Sequence, residues 1–141
     1  MAQSEALEIE RSMDAALRAL HAGHAASAAE SMYFVCYEAA VPAARVMGLE
    51  TGRRYILREH VRDAFVPHGV ISRDSAALFE RLFQVRAAAD RKQPAAVRLE
   101  EAGSYVPRVQ RFVRESARFL EVQGRPFPDG VSSAASGCAL R

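Results

Sequence analysis

The chain has 141 residues, a length typical of one domain that can bury a core without disulfide staples. Half of its residues are hydrophobic, about a quarter are charged and the net charge is +2, which is ordinary for a globular protein. Two cysteines are too few for a disulfide framework or a zinc knuckle, and no apolar run is long enough for a membrane span. These features predict a cytoplasmic protein without a metal, a cofactor or a membrane anchor.

The first half of the chain favours two helices. Apolar residues recur at spacings of three and four from about residue 3 to residue 22, and Gly23 ends that pattern. A second helix is predicted over about 24–47, ending at Gly48. Because proline lacks a backbone donor and clashes with the preceding turn, we expect Pro42 to kink this helix.

Two further helices follow in the middle of the chain. The third is predicted over about 52–66 and ends at Pro67. The fourth is predicted over about 73–92, where either Ser72 or Asp74 could cap the first turn through a side-chain oxygen.

A fifth helix is predicted over about 97–123, from apolar residues at spacings of three and four. Residues 124–141 are rich in Ser, Gly and Ala and predict a flexible tail. No strand-like alternation and no internal repeat are present. The expected architecture is therefore all-α, an up-and-down bundle of four to five helices within residues 1–123.

An arginine and an aspartate stand one turn apart on the fourth helix. Phe79, Phe83, Arg86 and Asp90 follow one line along its surface. Such a pair is either a surface ion pair of a few tenths of a kcal/mol or a polar site at the edge of the core or at an interface. Both interpretations remain open from the sequence.

Two other segments carry candidate site residues. Tyr33, Phe34 and Tyr37 lie among small residues of the second helix, where they are core residues or, through a tyrosine hydroxyl, neighbours of the Arg86–Asp90 pair. His60 lies on a half-apolar face of the third helix and is either a hydrogen-bonded core residue or a catalyst. No second histidine stands at the metal-ligand spacing.

Arginine accounts for all but one of the basic side chains, with 18 arginines and 1 lysine. Codon usage of a GC-rich genome explains this bias, and phosphate recognition by guanidinium groups is the functional alternative. Two rows of arginines stand at helical spacing, and each is either a solvated face interleaved with acidic residues or a contact for a phosphate backbone. The rows are Arg54, Arg58 and Arg62 on the third helix and Arg111, Arg114 and Arg118 on the fifth.

The order of these motifs resembles the HEPN superfamily (higher eukaryotes and prokaryotes nucleotide-binding domains), in particular its small uncharacterised prokaryotic branch. The resemblance covers residues from about 10 to 122. It rests on segments that match the branch in order and spacing: MYFVCYEAA (Met32–Ala40), Gly48-Leu49, His60, FVPHGVI (Phe65–Ile71), RAAAD (Arg86–Asp90), Phe112-Val113 and Phe119-Leu120.

The resemblance implies a HEPN-like protein that acts on RNA or nucleotide, as a homodimer and beside a nucleotidyltransferase-like partner in a toxin–antitoxin or defence pair. It further implies metal-independent RNA cleavage, in which the ribose 2′-hydroxyl is the nucleophile. Arg86 would stabilise the developing negative charge, His60 would be the general base or acid, and Asp90 would orient Arg86. Tyr33 or Glu38 would line the pocket.

One departure from the family pattern supports a different function. Many HEPN ribonucleases carry a histidine four to six residues after the arginine of a late helix, and Arg86 is followed by none. The alternative is a non-catalytic module for binding or dimerisation, in which the Arg86–Asp90 pair is structural. A third possibility is a helical sensor that binds a small ligand within the bundle.

Overall fold

A computed structural model of the chain describes residues 2–93 and 97–123. The predicted tail, 124–141, lies outside the described residues. The elements in chain order are α1 (Ala2–His21), α2 (Ala25–Val46), α3 (Arg54–His60), a π-helical turn (Val61–Phe65), α4 (Arg73–Asp90) and α5 (Leu99–Val122). No strand occurs in the described part of the chain, so the predicted all-α bundle is confirmed.

The small residues of α2 make it the central helix of the bundle. Six of its alanines are fully buried: Ala28, Ala29, Ala39, Ala40, Ala43 and Ala44. Because an alanine surface lets neighbouring helix axes approach closely, α2 packs against α1, α4 and α5. Larger side chains fill the remaining space, and Phe79 of α4 stacks on Phe112 of α5 with ring centroids 5.8 Å apart.

The predicted helix ends agree with the structure to within a few residues, and the local chemistry explains them. Gly48 follows α2 with φ +76°, a left-handed conformation that glycine adopts without strain. Of the two candidate caps for α4, the residue used is Ser72, whose hydroxyl accepts a hydrogen bond from the Ser75 N–H at 3.2 Å. Pro42 lies within α2, which continues as helix to Val46.

The third predicted helix differs from expectation. Its second half, Val61–Phe65, is a π-helical turn, in which each hydrogen bond spans one residue more than in an α-helix. In an α-helix, side chains four residues apart are rotated progressively around the helix axis, so a row of them leaves the buried face. The wider π-helical turn rotates such side chains in the opposite direction and returns them to that face. Leu57, Val61 and Phe65 therefore all remain buried.

Candidate functional site: an arginine–aromatic cluster

Four aromatic rings of α2 and α4 form one contiguous group, here called the aromatic cluster: Tyr33, Phe34, Tyr37 and Phe83. Tyr33 is fully buried at its centre. Its ring centroid lies 5.4 Å from that of Phe34, 6.0 Å from that of Tyr37 and 6.2 Å from that of Phe83. The contacts with Phe34 and Phe83 are edge-to-face, a geometry that stabilises aromatic pairs beyond simple burial.

Arg86 lies over one edge of the aromatic cluster. Its guanidinium carbon is 5.0 Å from the centroid of the Phe34 ring, within the range of a cation–π contact. Its terminal nitrogens lie 3.3 Å from Asp90 and 3.4 Å from Glu30 of α2. The predicted Arg86–Asp90 pair is therefore present, and Glu30 joins it from the neighbouring helix.

The burial of the Arg86 site is intermediate. The Arg86 and Glu30 side chains are each 28% exposed, and the side chain of Asp90 is 42% exposed. The Nε of Arg86 is nevertheless buried and has no hydrogen-bond partner within the described part of the chain. This guanidinium is therefore neither fully solvated nor fully enclosed. It lies at the edge of the core, which is one of the two positions that the sequence left open.

A second arginine approaches the aromatic cluster from α3. The guanidinium carbon of Arg58 lies 4.5 Å from the centroid of the Phe83 ring, and its Nε donates to Glu80 of α4 at 2.8 Å. The hydrogen bond from Arg58 lowers the pKa of the Glu80 carboxyl. Arg58, predicted as a binding residue, thus belongs to the same site as Arg86.

His60 lies elsewhere. Its Nε2 is 2.9 Å from the carbonyl oxygen of Glu50, which follows the C-terminal end of α2. The preceding residue, Leu49, donates its N–H to the Ala44 carbonyl, which fixes this loop beside Ala44. Ala44 follows Glu30, the α2 partner of Arg86, by fourteen residues, or about 21 Å along the helix axis. Within one chain, His60 and Arg86 are therefore held at opposite ends of α2.

Two other predicted binding residues also point away from the aromatic cluster. Glu38 faces α1, where its Oε1 accepts a hydrogen bond from the Ser12 hydroxyl at 3.2 Å. Arg62 is exposed and its Nε donates to the adjacent Asp63 at 2.7 Å. Arg54 is the first residue of α3, and its side chain lies outside the described part of the structure.

Burial shifts the protonation of two groups on α2. The pKa of Glu38 is raised to about 7, chiefly by desolvation and also by the neighbouring carboxyl of Glu8, while the Ser12 hydrogen bond acts in the opposite direction. Desolvation also raises the pKa of the fully buried Cys36 thiol well above its ordinary range. Neither group contacts the Arg86 site.

Glu30 is the participant that the sequence interpretation missed. It precedes Phe34 by four residues and Tyr37 by seven, so helical spacing places all three on one face of α2. That spacing could have identified it. The pairing with Arg86 across two helices required the relative register of α2 and α4, which no local pattern encodes.

Among residues 2–93 and 97–123, no group of three or more His, Cys, Asp or Glu side chains could hold a metal ion. In the same ranges, no helix is both long and apolar enough to cross a membrane. No protein-family model, curated protein or solved structure matches this chain. The resemblance to HEPN proteins therefore stays a prediction from the motifs.

Proposed function

We propose that this chain is a HEPN-like, non-catalytic module for binding and dimerisation that works beside a nucleotidyltransferase-like protein. The observation that carries the proposal is the state of Arg86, which is held by two carboxylates and one aromatic ring. Such an arrangement fixes a side chain for packing against a partner and leaves it poorly placed to stabilise a new negative charge.

The charges at the site support this proposal. Arg86 contributes one positive charge, and Glu30 and Asp90 contribute two negative charges, so the group is net negative when all three are ionised. A phosphate would have to displace a carboxylate before it could reach Arg86. Arg58 is likewise neutralised by Glu80.

The surface around Arg86 has the composition of a protein-binding patch. Phe34, Tyr37 and Phe83 are each half-buried, and Arg86 lies against the Phe34 ring. Aromatic residues and arginine are enriched in the centres of protein interfaces, where lysine and glutamate are depleted. A second copy of the chain, or the nucleotidyltransferase-like partner, would cover these half-exposed rings.

The second candidate is a metal-independent ribonuclease, and the buried Nε of Arg86 favours it. This N–H has no partner among the described residues, so one donor of the guanidinium remains unsatisfied. In this function Arg86 would stabilise the transition state and Asp90 would orient it, while His60 would act from another copy of the chain, because its own copy holds it at the other end of α2.

Cleavage of a labelled RNA pool in EDTA separates the two functions. Wild type, Arg86→Ala and His60→Ala are compared with Arg11→Ala, an exposed control on α1 outside the candidate site. The proposal expects no cleavage by any of them, and expects Arg86→Ala to weaken self-association or partner capture, measured by light scattering and pull-down. Metal-free cleavage by wild type and Arg11→Ala, lost in both other variants, would instead establish the ribonuclease.

A further inference from the structure

Two carboxyl groups meet in the interface between α1 and α2. Glu38 of α2 is half-buried there and forms hydrogen bonds with the carboxyl of Glu8 and the hydroxyl of Ser12, both on α1. We propose that α1 is a pH-gated element of the fold, which is docked on α2 while Glu38 is protonated and is released, with the rest of the bundle intact, once Glu38 is ionised opposite Glu8. This inference goes beyond the function proposed above and does not depend on it.

The first argument is the hydrogen bonding at this contact. A protonated Glu38 accepts from the Ser12 hydroxyl at 3.2 Å and still has a proton to donate to the Glu8 carboxylate. An ionised Glu38 has no such proton, so two negative charges then face each other at a partly desolvated position. Because burial and Glu8 raise the pKa of Glu38 to about 7, this change falls near neutral pH.

The second argument is the lack of a neutralising cation at Glu38. Arg11 precedes Ser12 on α1 and is exposed, and Arg45 lies two turns after Glu38 on α2 and is also exposed. Neither arginine contributes to the titration of Glu38, and among the described residues no charged side chain of α3, α4 or α5 does so. The repulsion between the two carboxylates is therefore borne by the contact between α1 and α2.

The third argument is the small contribution of α1 to the core. Within residues 7–21, only Ile9 and Ala16 are buried, whereas Leu7 and Leu17 are 50% and 40% exposed. The largest fully buried side chains of the described residues all follow α1 in the chain, and they include Tyr33, Phe65, Phe79, Phe112, Leu78, Leu82 and Leu120. Since buried apolar area is the main source of stability, α1 can leave while this core persists.

The fourth argument concerns the state of α1 after release. Most of the stability of a helix within a protein comes from the packing of one face rather than from its own propensity. A released α1 therefore loses its helical hydrogen bonds, and its backbone amides become open to exchange with solvent. Only three residues, 22–24, connect α1 to α2, so the released segment stays beside its docking face and can return to it.

The test is hydrogen exchange of the full chain, measured by mass spectrometry at pH 4 and pH 8 and expressed as protection relative to intrinsic exchange. Peptides of α1 are compared with peptides of α5. Glu38→Gln keeps the acceptor for Ser12 and cannot ionise, and Glu10→Gln is a control that removes an exposed α1 carboxyl. His21 and His24 are present in every variant, so the difference between wild type and Glu38→Gln isolates the carboxyl.

The opening of α1 should become about 5- to 20-fold more favourable from pH 4 to pH 8 in wild type, allowing for solvent screening at this half-exposed position. Glu10→Gln should behave like wild type, Glu38→Gln should lack this change, and α5 should keep its protection in all three proteins. The proposal is overturned if α1 of wild type has the same protection at both pH values, if Glu38→Gln shows the wild-type change, or if α5 loses protection together with α1.

Discussion

Glu38 offers a prediction about stability that follows directly from its place between α1 and α2. Its carboxyl is half-buried and lies close to the carboxyl of Glu8, and both effects disfavour ionisation. The folded state therefore binds the Glu38 proton more tightly than the unfolded chain does. By linkage, the associated stability is fully present below the unfolded pKa and is lost as the pH rises through about 7.

The magnitude follows from the same shift. One pKa unit corresponds to about 1.4 kcal/mol, so a rise from 4.5 to about 7 sets an upper bound of about 3.4 kcal/mol on the stability lost. Solvent screening at this half-exposed position reduces the expected loss to about 1–2 kcal/mol. Glu38→Gln keeps the shape and the acceptor for Ser12 and removes the charge.

The assay is urea unfolding of wild type, Glu38→Gln and Glu10→Gln at pH 4 and pH 8, where Glu10 is an exposed control on α1. The Glu38 variant should match wild type at pH 4 and exceed its free energy of unfolding by about 1–2 kcal/mol at pH 8. The Glu10 variant should keep the wild-type pH dependence. If Glu38→Gln is less stable than wild type at pH 8, the carboxylate is stabilising and the reasoning from desolvation is wrong.

Three further predictions concern other positions. Arg86→Met should lower the free energy of unfolding by about 1–2 kcal/mol, because it leaves the Glu30 carboxylate without its Arg86 partner, and adding Glu30→Gln should restore part of the loss in a double-mutant cycle. Additive losses would contradict the pairing. Ser72→Ala should cost about 1 kcal/mol and Ser72→Gly only a few tenths in the same urea assay, and equal costs would argue against the cap. In a Cys138→Ser variant, Cys36 should not react with a thiol reagent at pH 8 until urea unfolds the chain, because burial raises the pKa of its thiol. Rapid labelling of the native protein would contradict the burial of Cys36.

Local chemistry is what made the helix ends predictable. Gly48 and Ser72 act within one turn of their own positions, through a left-handed backbone conformation and a hydroxyl acceptor. The π-helical turn at Val61–Phe65 was not predictable in this way, because α- and π-helices share the same apolar spacing over so few residues. The π-helical turn differs in that it keeps both Val61 and Phe65 buried, and the core that buries them is formed by distant parts of the chain.

The candidate site shows the same division between local and long-range information. The Arg86–Asp90 pair lies within one helix and followed from spacing alone. The grouping of Arg86 with His60 followed from the family resemblance. Within one chain, His60 contacts the loop after α2 and Arg86 contacts Glu30 near the start of α2, so the two residues lie apart. Glu30 is the residue that changes the interpretation, since it brings a second carboxylate to Arg86 from the neighbouring helix.

This difference in charge compensation has a functional consequence across the molecule. Arg58 and Arg86 lie against aromatic rings and are neutralised by carboxylates, so they are arginines that hold helices together or meet a protein surface. Arg118 of α5 is exposed and has no such partner among the described residues. Replacing a compensated arginine removes the partner of a carboxylate, whereas replacing an exposed arginine without a partner removes only charge, so the two kinds of arginine should differ in their effect on stability. An arginine-rich composition alone could not make that distinction, because it counts both kinds of arginine together.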